Sequence, residues 1–240
     1  MAIIHPGRQL DFSCVGADGI GMDGIERLRY EVYCLECGFL DPAAYPDGRE
    51  HDEYDGSSIH VAGFNSEEDI IASLRLVRDS PLGFPLEAHS KELYPEFQDL
   101  PRDRTAEVSR LVVAKRYRRR SHDGRYGTDV GGEAVVAAGT RSHSNRLRSQ
   151  YPLILFGLFG RMFEESVDMG LEFWLAAMEP SLARFLRSYG FIFTPIGPPI
   201  DYFGTVVPYS ARIQDVFESV SAKRSDVLGV LLGKGSPLPV

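Results

Sequence analysis

The clearest hydrophobic rhythm along the chain runs through Ile25, Leu28, Val32, Leu35 and Phe39, at steps of 3, 4, 3 and 4. That spacing puts one apolar face on a helix. Asp23 followed by Glu26 reads as a capping-box start for it. Arg29, Tyr33 and Cys37 form a second line beside the seam, which sets Arg29 against the core rather than in open water. A shorter alternation at 10–15 predicts a first strand. Residues 59–64 and 70–77 are rich in apolar and β-branched side chains around the polar turn 65–69, and they predict a hairpin.

The stretch 105–120, TAEVSRLVVAKRYRRR, is the densest in the chain. Leu111, Val112 and Val113 read as the core of a buried strand. Glu107, Ser109 and Arg110 lie within it, and the cations Lys115, Arg116, Arg118, Arg119 and Arg120 follow. Between hairpin and strand, Pro81, Pro85, Pro95 and Pro101 block long helices. Residues 116–150 hold five glycines and many cations, which predicts a partly mobile basic segment with a short helix near 133–138. Pro152 suits a helix's first turn, and a largely buried helix over 153–169 ends at Gly170. A strand follows at 171–178 with the single tryptophan, Trp174. Next come a helix from Pro180 to Gly190, a strand at 191–193, a stiff connection at 195–199, a last strand at 203–207 and a helix at 210–221. The tail after Arg224 is weakly specified. This order predicts one α/β domain over 1–240, with a mixed central sheet antiparallel at first and parallel crossovers later.

Charge changes the picture. The chain carries 26 Lys and Arg against 34 Asp and Glu, a net −8, which argues against a dedicated nucleic-acid binder. The imbalance is local: residues 1–60 hold four Arg against twelve acids, whereas 115–150 hold nine Lys and Arg against three. A basic patch on an acidic chain points to a specific anionic partner. Three cysteines, Cys14, Cys34 and Cys37, are too few and odd in number for a disulfide framework. Cys34 and Cys37 lack a second ligand pair at zinc spacing, so no metal site is expected. The N-terminus does not read as a signal peptide. The longest apolar block falls far short of the roughly 18–20 residues that span a bilayer. These features read as a cytoplasmic protein with no stable membrane insertion.

The candidate chemistry lies in Glu50, Asp52 and Asp55 of the acidic loop 41–57, taken together with Arg29, Arg75, Glu107 and Arg110. A long loop in a compact domain is usually functional or disordered. Arg75 sits inside the strand pattern SLRLV, and a buried guanidinium is costly without a carboxylate partner. Three arginines and four carboxylates make sense only if they neutralise one another. His51 lies within the acidic motif; His122 and His143 belong to the basic segment.

The successive motifs RYEVYCLECGF, EHDEYD, ASLRLV and EVSRLVV resemble those of the autoinducer (acyl-homoserine-lactone) synthases over roughly 25–115. These are GNAT-like acyltransferases that use acyl carrier protein thioesters. The family pattern falls on Arg29, Val32 and Tyr33, on Phe39, on Glu50, Asp52 and Asp55, on Arg75, and on Glu107, Ser109 and Arg110. The rest of the chain looks closer to long-chain N-acyl amino acid synthases and exosortase-associated acyltransferases. LARFLRSYGFIF resembles the C-terminal helix–Gly–strand turn of the GNAT superfamily. Phe39 stands where the autoinducer synthases usually carry Trp, which sets an amino-acid acceptor against their usual S-adenosylmethionine. RYRRRSHDG has cations where GNAT enzymes have a glycine-rich pyrophosphate loop.

The resemblance implies an N-acyltransferase that moves a long fatty acyl group from acyl carrier protein to a small amine, an amino acid. An autoinducer synthase using S-adenosylmethionine and a non-catalytic GNAT-like sensor are the alternatives. No cofactor is expected beyond the acyl-carrier or acyl-CoA thioester. Acyl transfer needs a base, oxyanion donors and a dry channel. Glu107, or Glu50 through water, is the expected base, and the amides around Leu111, Val112 and Val113 are the expected donors. Tyr33, Phe39 and Ser109 fall on the substrate side. Trp174 with the helix after Pro152 lines an acyl channel or is ordinary core. Alternation places Glu107 and Arg110 on opposite faces of a regular strand, so either a bulge re-aims one or Arg110 pairs with the acidic cluster. Lys115, Arg116, Arg118, Arg119 and Arg120 form the expected carrier-docking patch.

Overall fold

A computed structural model describes residues 10–90, 92–95, 98, 100–118, 150–224, 227 and 229. The helix expected near 133–138, most of the basic segment and tail, Arg119, Arg120, His122 and His143 lie outside the described residues. Strand β1 (Leu10–Gly16) leads to helix α1 (Met22–Tyr30), which continues as a π-helical turn over Glu31–Glu36. The acidic loop then leads to the hairpin β2 (Ser58–Asn65) and β3 (Ile70–Arg78). A short helix α2 (Pro85–His89) precedes β4 (Thr105–Val113) and the one-turn α3 (Lys115–Arg118). The second half holds α4 (Tyr151–Asp168), β5 (Phe173–Met178), α5 (Pro180–Ser188), the two-residue strands β6 (Thr194–Pro195) and β7 (Ile200–Asp201), β8 (Thr205–Arg212) and α6 (Ile213–Lys223).

The strands form one sheet in the order β1-β2-β3-β4-β5-β8-β6, with β7 on β8. Among the described residues, only β4 and β5 pair in parallel; the other pairings are antiparallel. The expected parallel crossovers therefore reduce to one, because β8 returns antiparallel along β5 rather than crossing over. That parallel pairing is short, running from Thr105 opposite Phe173 to Glu107 opposite Leu175. Beyond Glu107 the two strands part, and the sheet opens into a cleft.

Two layers cover the sheet. The apolar length of α4 lies on one face, where Ile154, Leu155, Phe156, Leu158 and Met162 pack with Leu74, Leu76, Val113 and Trp174. Helix α1 covers the other face, with Ile25 on Ala62 and with Leu28 and Val32 on Val112. The expected capping box is not formed: the N-cap is Gly21 at φ 107°, and Asp23 in the first turn pairs with Arg49. The π-turn also rotates the seam. The Cys37 N–H bonds back five residues to the Val32 carbonyl, so Leu35 is 60% exposed and Cys37 is buried. A residue inserted into the helical turn shifts every later side chain around the axis. Downstream, 191–193 is irregular rather than a strand, although Phe191 and Phe193 are buried. β8 runs on to Arg212, so the last helix starts three residues later than expected.

Among the described glycines, Gly157 of α4 has the least room for a side chain. A Cβ there would sit 2.1–2.6 Å from the Phe12 ring, which also lies against Gly63 of β2. Alanine favours helix by about 1 kcal/mol over glycine, but overpacking a close contact costs about 1–3 kcal/mol. Gly157→Ala is therefore expected to destabilise the fold in denaturant titration, and Phe12→Leu to relieve most of that loss. An unchanged midpoint in Gly157→Ala would show the contact is not tight.

Candidate active site

On the sheet face under α1, His60, Arg75 and Ser109 stand side by side across β2, β3 and β4. The acidic loop folds back over them, tied to α1 by the Glu50 N–H on the Glu26 carbonyl at 3.1 Å. Arg29 donates through Nε to Glu50. Its Nη1 and Nη2 reach the two Asp55 oxygens at 2.8 and 3.2 Å. Arg75 Nη1 donates to Asp55 at 2.7 Å and also to Asp52. Arg110 closes the ring, with Nε on Glu50 at 3.1 Å and Nη2 on Asp52 at 2.8 Å. Each guanidinium bridges two carboxylates and each carboxylate bridges two guanidiniums, so the assembly is neutral. Arg29, Glu50 and Arg75 are fully buried.

Burial pushes the Asp55 carboxyl up, but the charges and hydrogen bonds of Arg29 and Arg75 hold it well below the usual carboxylate range. Asp52 is likewise raised by burial and lowered further by Arg75 and Arg110, ending below its ordinary value. Neighbouring His60 is pushed down to about 4 by burial, against the pull of Asp55. It sits in the site as a neutral imidazole.

Arg110 reaches this ring because β4 is bulged. Ser73 faces Val112 and Arg75 faces Ser109, so Arg110 and Leu111 together oppose Leu74. Arg110 takes φ 51°, a left-handed conformation that costs a non-glycine residue about 1–3 kcal/mol and persists where its surroundings over-determine it. Both sequence readings of Arg110 hold: a bulge re-aims it, and it pairs with the acidic cluster.

Glu107 stands outside the ring. It is 3% exposed, and its Oε2 accepts the Leu86 N–H at 2.7 Å. Burial raises its carboxyl, opposed by the Leu86 hydrogen bond and by Arg75 and Arg110, to about 7. A carboxylate in that range can accept a proton near neutral pH.

Two cavities meet at the cleft. Tyr33, Val108, Ser109, Arg110, Ala177 and Val206 belong to both. One, about 130 Å³, runs between β4 and β5 toward Leu182, Leu186, Phe159 and Phe193 and is largely apolar. The other, about 110 Å³, contains Glu107 and is walled by Phe39, Leu40, Pro85, Tyr202 and Phe203. Its aromatic wall is a run of stacked rings: Tyr33 on Phe39 at 6.1 Å, Phe39 on Phe203 at 5.7 Å, and Tyr202 on His89 at 3.8 Å. The Tyr33 hydroxyl, pushed up to about 12 by burial, donates to the Leu111 carbonyl at 3.3 Å.

The structure thus gathers Arg29, Glu50, Asp52, Asp55, Arg75, Arg110, Glu107, Ser109, Tyr33, Phe39 and Leu111. Val112 and Val113 are buried away from both cavities, Val112 under α1 and Val113 in the main core. Trp174 is core: it is fully buried, its Nε1 donates to Ser166 at 2.9 Å, and it lines neither cavity. His51 is exposed, edge-on to Tyr45. Among the expected docking cations, Arg118 is mostly buried in a pair with Glu36, and Arg116 pairs with Asp69 while staying half-exposed. Tyr202 and Phe203 were not foreseen. The short run Asp201-Tyr202-Phe203-Gly204 turns β7 into β8, with φ 56° at Phe203 and 113° at Gly204, and its Asp-x-x-Gly spacing was the available signal.

Two stability tests follow. Arg29→Ala leaves Glu50 and Asp55 with one guanidinium each and the buried ring one positive charge short, a loss of about 3–5 kcal/mol, readable by chemical denaturation. A wild-type midpoint would contradict the ring. The second test concerns pH. Glu107 is raised in the fold, so its contribution is complete below its ordinary 4.5 and is lost as pH climbs toward about 7. Asp52 and Asp55 are lowered, so theirs is present above the ordinary value of 3.8 and lost on acidification below it. Wild type should therefore lose stability relative to Glu107→Gln between pH 4.5 and 7. A constant difference would contradict the raised carboxyl.

Residues 28–124 match the family described as the acetyltransferase (GNAT) domain. No curated protein matches the chain. Among solved structures, the CoA-dependent acyl-homoserine lactone synthase BjaI, solved with SAM and isopentyl-CoA, is similar at TM-score 0.62 and 16% identity, covering 91% of this chain and 89% of its own. FeeM, an N-acyl amino acid synthase from uncultured soil microbes, is similar at TM-score 0.56 and 13% identity, over 90% and 97%. The acyl-homoserine lactone synthase LasI is similar at TM-score 0.58 and 11% identity, over 98% and 100%. Likeness at these identities is likeness of fold. The chain thus resembles the acetyltransferase (GNAT) family over residues 28–124 and shares the fold of acyl-homoserine lactone and N-acyl amino acid synthases.

Proposed function

We propose that the protein is an N-acyltransferase that carries a fatty acyl group from an acyl carrier protein thioester to the amine of a small acceptor, an amino acid. The observation that carries this reading is Glu107, a buried carboxylate raised to about 7 in the second cavity, next in sequence to Val108 and Ser109, which line both. The apolar cavity between β4 and β5 takes the acyl chain, and the Glu107 cavity takes the amine. A cavity of about 130 Å³ is close to one that holds a benzene ring, so a long chain must part Leu182, Leu186 and Phe193.

Glu107 takes the proton of the attacking ammonium, and the amine nitrogen adds to the thioester carbon. Past Glu107, β5 no longer pairs with β4, so the β4 edge over 108–111 is free to supply amide donors to the oxyanion. Collapse breaks the carbon–sulfur bond, and Glu107 gives its proton to the departing thiolate. The carboxylate so regenerated takes the second proton from the nitrogen, leaving a neutral amide, and passes it to solvent. The ion ring holds the bulge and stays out of the proton transfer. Among the described cations of the run, exposed Lys115 and half-exposed Arg116 are open to the acidic carrier.

The aromatic wall favours a second reading, with S-adenosylmethionine as acceptor, because stacked rings attract a sulfonium by cation–π interaction. Acyl-carrier thioesters incubated with an amino-acid pool or with S-adenosylmethionine, read by mass spectrometry, separate the two. N-acyl amino acid supports the first, a lactone the second, and transfer to neither points to a non-catalytic sensor.

Glu107→Gln is expected to lower turnover about 10²–10⁴-fold while leaving donor binding intact; an unaffected rate would remove Glu107 as base. Replacing Lys115 and Arg116 by Ala should raise KM for the carrier-bound donor at low salt and much less at high salt, since exposed charges are screened over about 8 Å at physiological ionic strength. A short acyl-pantetheine should be unaffected. Equal damage to both donors would instead place these cations in the catalytic site.

A further inference from the structure

The hydrogen bond from Leu86 to Glu107 depends on a device that touches neither cavity. Helix α2 is only five residues long, too short to hold its place alone. At its start, the Glu87 side chain accepts the Phe84 N–H at 2.8 Å. Arg102, from the turn before β4, grips the Glu87 carboxylate with both terminal nitrogens, at 2.6 and 3.0 Å. Its Nε is shared with Asp79 at 3.1 Å, and its guanidinium lies over the Phe84 ring at 4.9 Å. Phe84 and Leu86 are buried beneath this clamp, with Leu86 N–H directed at Glu107 Oε2. Pro85, between them, lines the Glu107 cavity.

We propose that Arg102 is a positioning residue: by clamping Glu87 and Phe84 it fixes the first turn of α2 so that the Leu86 amide holds the Glu107 carboxylate in its reactive orientation. The inference rests on the reading of Glu107 as base. Charged and titratable groups facing Glu107 are Arg75 on β3, Arg110 on β4, Glu87 on α2 and Tyr54 in the acidic loop. Arg75 and Arg110 are bound into the ion ring, whereas α2 rests on the Arg102 clamp. A donor to the charged form favours ionisation, so releasing the Leu86 amide raises the pH at which Glu107 gives up its proton. The Arg102 side chain is about half-exposed, and surface pairs of this kind contribute little to folding, so the variants keep their fold.

The test is the pH profile of kcat/KM for acyl transfer in wild type, Arg102→Ala, Arg102→Lys and Glu107→Gln, with thermal midpoints alongside. Arg102→Ala should move the acid limb to higher pH, so that it keeps about one third of wild-type kcat/KM on the limb. The KM of the carrier-bound donor should stay the same. Arg102→Lys keeps the charge but not the two-pronged grip and should stay shifted. A wild-type profile in Arg102→Ala overturns the proposal. So does full restoration by lysine, which would assign the effect to charge alone. Full activity in Glu107→Gln removes the base itself, an outcome distinct from an unshifted Arg102→Ala beside an inactive Glu107→Gln.

Discussion

The mutual neutralisation of three arginines and three carboxylates is the interaction on which the rest of this site depends. Isolated, any one of the six would be costly to bury. Joined in a closed ring, they sit between α1, the acidic loop and the strands β3 and β4, and each element supplies at least one member. The ring binds a loop with almost no regular structure to the middle of a sheet. It also over-determines the left-handed conformation of Arg110, and with it the bulge that shapes the cleft wall.

The carboxylates in this region divide by environment. Asp52 and Asp55 each touch two guanidiniums and are held ionised. Glu107, a short distance along β4, has one amide donor and no direct ion pair among the described contacts, so burial prevails and its carboxyl rises to about 7. Divergent environments for neighbouring carboxylates separate structural from proton-transferring roles. The early parting of β4 from β5 supplies the remaining requirement, an opening at that carboxylate with apolar walls on one side and aromatic walls on the other.

Much of this was legible in the sequence. A guanidinium in the strand pattern SLRLV demanded partners, and the loop 41–57 offered a cluster of acids to supply them. The hairpin, β4 and α4 followed from periodicity and turn residues. The rest depended on tertiary contacts without periodic signal. The π-turn that exposes Leu35 is indistinguishable from ordinary helix until packing chooses it. The two-residue strands β6 and β7 are too short to alternate, so the contact of Phe203 with Phe39 was hidden. Trp174 read as acyl channel or as core, with core the more favoured, and its Nε1 bond to Ser166 places it in the core. A run of cations says nothing about which are paired, and Glu36, which buries Arg118, lies far away in sequence.

The central claim is that the six charges act as one neutral unit, and a double-mutant cycle on Arg110 and Glu50 tests it most directly. Arg110→Met and Glu50→Gln each leave an uncompensated charge in the ring, whereas the double variant removes one of each sign. Measured by chemical denaturation, the double variant should be clearly less destabilised than the sum of the singles, with a coupling of about 0.5–3 kcal/mol. Strict additivity would mean that Arg110 and Glu50 are not partners, and the closed ring would have to be abandoned.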